Sequence, residues 1–189
     1  MRIAELQALK REGRKIAAVV CWDSNTAAVA DEAGADIVSV GDSAAATFDE
    51  LLAFCASVRR GVKRALVSCD LPEPSLEHAQ QLVAQGATLV KVEGVDAVRG
   101  LAAAGISVFA QIEGADEAKP MEDAGAALID FRHSGPEEGA RAVAAVAIPV
   151  LGGLGGGPWL DGRVRAAHRL LDVGGFLEDV RAGRPVKGD

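Results

Sequence analysis

Short apolar runs alternate with alanine-rich, charge-flanked stretches along the whole chain. Strand candidates lie near 16–21, 36–40, 65–69, 88–92, 106–112, 126–131 and 148–152, each rich in Val, Ile and Leu and too short for a helix. Continuous apolar runs of this kind suit strands buried on both faces, which points to a parallel sheet covered by helices. The stretches between them carry helix signals: Ser24 or Asn25 caps a helix over 26–33, and Gly34 ends it. A recurring small-residue step precedes several strands, as in Ala33-Gly34-Ala35, Gln85-Gly86-Ala87 and Ala124-Gly125-Ala126, with Gly105 in the same role. An eighth unit is fainter, with a short strand expected near 169–173 and a closing helix in FLEDVRAG. The pattern predicts an α/β fold, a compact (β/α)8 TIM barrel with short loops, forming one domain over 1–189. An open doubly wound sheet is the alternative.

Composition changes this picture little but narrows the partners. The chain has 189 residues, 49% of them hydrophobic and 25% charged, ordinary values for a globular domain. A net charge of -7 argues against nucleic-acid or anionic-membrane partners, which need a concentrated basic surface. Cys21, Cys55 and Cys69 show no metal-ligand spacing and are odd in number, so a reducing, cytoplasmic setting is expected. The first fifteen residues read as a charged amphipathic helix, and no run is long enough to span a membrane.

Three acids each follow an apolar run: Asp42 in IVSVGDS, Asp70 in ALVSCDLP and Glu93 in TLVKVEG. Side chains at strand ends point into the crevice where α/β folds bind ligands. Three carboxylates at the same stage of successive units suggest a hard cation, magnesium, with open positions for a substrate. Helix caps or solvent-facing loop acids are the plainer reading of the same residues. Lys91 lies two residues before Glu93 and so shares its strand face, the barrel interior; a purely structural pair with a carboxylate is its alternative role. The segment GGLGGGPWLDG (152–162) is either a tight turn or a cradle for a carboxylate or phosphate. Its late position and Pro158 exclude a dinucleotide fingerprint.

The pieces ADEAGADIVSVGDS (30–43), VRRGVKRALVSCDLP (58–72), LVKVEG (89–94) and IPVLGGLGGG (148–157), with a looser DGRVRAAH (161–168), resemble the ketopantoate hydroxymethyltransferase family. That family lies within the phosphoenolpyruvate mutase and isocitrate lyase superfamily. The resemblance implies a magnesium-dependent barrel that binds a small 2-oxo acid and transfers a hydroxymethyl group from methylenetetrahydrofolate to its enolate. By motif position, Asp42, Asp70 and Glu93 would hold or orient the metal, while Ser43 and Lys91 would bind the carboxylate or enolate. The resemblance also implies a homo-oligomer.

Departures from the family pattern are concentrated at the reacting centre. The family's carboxylate base at the end of the sixth strand falls on Arg132, and its fifth-strand histidine falls on Gln111. Segments after GDS and after the fifth strand are absent, which puts folate use in question. Glu113, two residues past Gln111, is the candidate replacement base. Asp130, two before Arg132, would neutralise it, leaving Arg132 to grip a substrate anion. His168 matches a family histidine. The expected activity is enolate-based C–C bond chemistry on a 2-oxo acid; a folate-free lyase, decarboxylase or tautomerase and an inactive metabolite-binding or assembly protein are the alternatives.

Overall fold

A computed structural model describes residues 1–41, 47–153, 157–167 and 172–184. Eight strands pair in sequence order, all parallel, and β8 closes onto β1. They are β1 (Ile16–Val20), β2 (Ile37–Val40), β3 (Leu66–Asp70), β4 (Leu89–Glu93), β5 (Val108–Ile112), β6 (Leu128–Phe131), β7 (Val150–Gly152) and β8 (Gly162–Ala166). The barrel is therefore closed, and the open sheet is excluded. The helices are α1 (Ile3–Arg11), α2 (Ser24–Glu32), α3 (Phe48–Gly61), α4 (Leu76–Ala84), α5 (Val95–Ala103), α6 (Ala118–Asp123), α7 (Pro136–Ala145) and α8 (Val173–Arg181).

Alternation along each strand builds two cores. Outward residues such as Val38, Val67, Val90 and Ile129 pack beneath the helices. Inward residues Ile16, Ile37, Leu66, Leu89, Phe109, Leu128, Leu151 and Val164 fill the barrel, with Leu6 and Leu9 of α1 packed against them. The charged N-terminal helix thus spends its apolar face on the barrel interior.

Two sequence expectations shift. Helix α2 begins at Ser24 because Asp23 caps it, its carboxylate accepting the Asn25 and Thr26 amides at 2.9 Å. The eighth strand is Gly162–Ala166, not 169–173; residues 169–171 lie outside the described residues, and Asp172 caps α8. Its register is set by Gly162 opposite Ile16, where a Cβ would come within 2.2 Å of the Ile16 carbonyl oxygen. Arg163 and Arg165, 4% and 9% exposed, mask the strand's pattern in the sequence.

Parallel neighbours normally need a helical crossover of a dozen residues or more. Here β7 reaches β8 without one among the described residues. Asp161 ties the link to β7, accepting the Val150 amide on Oδ2 and donating its own amide to the Val150 oxygen, both at 2.9 Å. Trp159 and Leu160 occupy the flank that a crossover helix would cover. Leu160 is buried, and Trp159 lies so close to α7 that a Cβ on Gly139 would come 2.2 Å from its ring.

Candidate active site

The inward face of each strand changes character on rising from the α1 end. On β3 it runs Leu66, Ser68, Asp70; on β4, Leu89, Lys91, Glu93; on β5, Phe109, Gln111; on β6, Leu128, Asp130. Period-two geometry carries the apolar lower layer upward into charged groups at the strands' C-terminal ends. That end is where barrels of this type hold their catalytic residues.

Lys91 is the centre of the cluster. Its Nζ lies 3.0 Å from Asp130 Oδ2 and 3.2 Å from Asp70 Oδ1, and sits 5.0 Å from the centroid of the Phe109 ring. Burial alone would push its pKa down, but the charges of Asp130 and Asp70 override that and hold the ammonium above its ordinary value. Arg132 stands above it, Nη2 at 3.6 Å from Asp70 and Nε at 3.6 Å from Asp130. Gln111 donates from Nε2 to Glu93 Oε1, its register neighbour across β4 and β5.

These groups open into a cavity of about 140 Å³ lined by Asp70, Leu71, Pro72, Lys91, Val92, Glu93, Gln111 and Arg132. Drug-sized pockets occupy roughly 300–1,000 Å³, so the cavity suits a molecule of only a few carbons. The structure thus brings together Asp70, Lys91, Glu93, Gln111 and Arg132. Asp42, Ser43 and His168 lie outside the described residues. Glu113 is exposed just past β5, its backbone amide bonded to Glu117 Oε1, and it is not among the lining residues.

Sequence reasoning paired Asp130 with Arg132 but missed its closer bond to Lys91. The signal was present: Asp130 shares the inward face of β6, while Lys91 and Asp70 are register partners on β3 and β4. In the glycine-rich segment, Gly152 and Gly153 pack against Phe131 and Val164, and Gly157 against Trp159. Those three glycines therefore serve close packing within the chain.

The cavity's donor chemistry fits magnesium. Asp70 and Glu93 present oxygen only, with no thiol or imidazole in the lining, and magnesium is commonly held by one or two carboxylates while keeping several waters. Among the described residues no three His, Cys, Asp or Glu side chains form a metal-holding group.

The sequence profile of ketopantoate hydroxymethyltransferase matches residues 1–114. A 3-methyl-2-oxobutanoate hydroxymethyltransferase 2 of Pseudomonas entomophila (strain L48) is 31% identical over 235 aligned positions, covering 97% of this chain and 88% of the relative. Among solved structures, the phosphoenolpyruvate phosphomutase of Streptomyces platensis subsp. rosaceus superposes with a TM-score of 0.68 at 18% identity, covering 89% of this chain and 82% of that one. A 2,3-dimethylmalate lyase of the PEP mutase/isocitrate lyase superfamily gives 0.68 at 15%, covering 89% and 81%. Those two structures share the fold; the sequence matches carry the kinship. With its GDS, DLP and VKVEG segments in order and Asp70, Lys91 and Glu93 around one cavity, the chain belongs to the ketopantoate hydroxymethyltransferase family, a family of enzymes.

Proposed function

We propose that the protein is a magnesium-dependent enzyme that binds a small 2-oxo acid and promotes its enolisation for C–C bond chemistry of the hydroxymethyltransferase kind. The observation that carries this reading is the shared cavity of Asp70, Lys91 and Glu93. Asp70 and Glu93, with Asp42, would hold magnesium, which when bound supplies a Lewis acid that stabilises negative charge on the enolate. Lys91 keeps its proton at working pH and so acts as a fixed positive charge for the substrate carboxylate or enolate oxygen. Gln111 orients Glu93 through its amide, and Ser43 would bind the substrate carboxylate.

Arg132 occupies the family's base position just past β6, and the one carboxylate of that strand, Asp130, is engaged by Lys91 at 3.0 Å. The role of base falls to Glu113, exposed just past β5, and E113Q should then lower turnover while leaving substrate binding intact. Arg132 at the family's base position favours a second reading, a lyase or tautomerase of this superfamily that forms the enolate without folate.

The test is hydrogen exchange at C3 of 3-methyl-2-oxobutanoate in deuterated water with magnesium, followed by NMR. The wild type is expected to exchange the proton, and D70N to lose at least about a hundredfold of that rate, the scale of removing one stabilising group at a developing oxyanion. Undiminished exchange by D70N, or none by the wild type with any 2-oxo acid, refutes the proposal.

A further inference from the structure

We propose that the cavity selects a 2-oxo acid bearing a second carboxylate, and that Arg132 is the residue that reads that second group. The inference rests on the reading of the cavity as a 2-oxo acid site.

The two cations there differ in how they are used. Lys91, 5% exposed in its side chain, is engaged at 3.0 and 3.2 Å by two carboxylates and backed by the Phe109 ring. Arg132 is 33% exposed in its side chain, and both its carboxylate contacts stand at 3.6 Å. That separation keeps electrostatic attraction but exceeds hydrogen-bond reach. An arginine serving only as a counter-ion would close on a carboxylate with two parallel short bonds. Instead, Nε and Nη2 face different acids, and no side-chain hydrogen bond of Arg132 is present among the described residues. Asp70 and Asp130 hold the guanidinium in place by their field while its fork of donors remains available.

The surroundings point that fork at the ligand. Arg132 lines the cavity directly, just past β6, and the next residue, His133, adopts φ 56°. Left-handed backbone is unusual for a residue with a side chain, and here it turns the chain sharply after Arg132. The rest of the lining offers Pro72, Gln111 and the acids Asp70 and Glu93, while Leu71 and Val92 belong to the outer core beneath the helices. Lys91 and Arg132 are thus the two cations in the lining. A substrate whose 2-oxo acid head is held by Lys91 and by the magnesium that Asp70 and Glu93 would carry leaves its far end to Arg132.

A branched alkyl tail in that position would strip water from the guanidinium and return no hydrogen bond. Sites built to bond a polar group reject analogues that lack it far more strongly than apolar pockets reject an added group. A planar carboxylate would accept two parallel N–H bonds from the fork, and the guanidinium remains charged at any working pH.

The experiment is calorimetric titration of the magnesium-saturated protein with oxaloacetate and with 3-methyl-2-oxobutanoate, repeated on R132Q and R132K. The wild type is expected to bind oxaloacetate at least about tenfold more tightly, the yield of one charge-assisted bond. R132Q should collapse that ratio toward one, and R132K, which keeps the charge without the fork, should retain part of it. A wild type that prefers the monoacid, or an R132Q variant that keeps the full ratio, overturns this inference while leaving the 2-oxo acid site standing. Binding of neither acid overturns the site itself and this inference with it. Circular dichroism of both variants reports whether each is folded.

Discussion

Lys91 is the buried cation on which two carboxylates converge. Removing a buried charge from a pair typically costs about 3–5 kcal/mol, because the partner is left uncompensated, and Lys91 has two partners in Asp70 and Asp130. K91M is therefore expected to lower the melting temperature by on the order of 10 °C, at roughly 2–4 °C per kcal/mol for a chain of this length. Adding D130N to K91M should restore part of the loss, and a double-mutant cycle in urea measures the coupling. The pH behaviour follows from the sign of the shift. A lysine whose folded pKa is raised contributes stability that is complete below its ordinary value and fades only as pH climbs through the raised one. The gap between wild type and K91M should hold constant from about pH 6 to 9, well below an ordinary lysine pKa; a gap that narrows over that range would show Lys91 losing its proton there.

At the scale of elements, the described residues of the link from β7 to β8 hold no crossover helix and pack Trp159 against α7. Trp159 fits against α7 only because position 139 carries no Cβ. G139A should destabilise by about 1–3 kcal/mol, the usual cost of overpacking, read as a lower urea midpoint with an unchanged slope. A smaller ring relieves the clash, so W159L in the G139A background should recover some of that loss. A similar close approach joins α2 and α3, where a Cβ on Gly61 would come within 2.1 Å of the Ser24 oxygen. Such contacts leave only a glycine in the sequence, with no hint of its neighbour. The β8 strand was obscured for a related reason: its arginines face outward beneath other elements, so a strand that is buried in three dimensions reads as a polar segment.

For the whole molecule, the barrel is complete but economical. An alignment of 235 positions over a 189-residue chain leaves segments of the relative without a counterpart here. If those segments supply the folate contacts, methylenetetrahydrofolate should neither bind in calorimetry nor be consumed with 3-methyl-2-oxobutanoate and magnesium. Pantoate-precursor formation at an ordinary enzymatic rate, about 1–1,000 per second, would instead show that the short loops suffice. No helix among the described residues is long and apolar enough to cross a membrane.

The order of strands and helices was legible in the sequence, because burial on both faces imposes apolar runs and the small-residue steps mark each return to the barrel. Positions 34, 86 and 125 do carry left-handed backbone, with φ of 94°, 103° and 102°, a conformation glycine adopts without penalty. The placement of Asp70, Lys91 and Glu93 at strand ends was legible too, since period two decides which side chains face inward. Tertiary structure alone decided the rest. Closure set β1 against β8 and so chose Gly162 as the start of the last strand. Strand register placed Asp130 beside Lys91, and the strand-end geometry left Glu113 outside the cavity lining that Arg132 enters. Such pairings depend on distances between residues far apart in the chain, and local patterns of hydrophobicity carry no record of them.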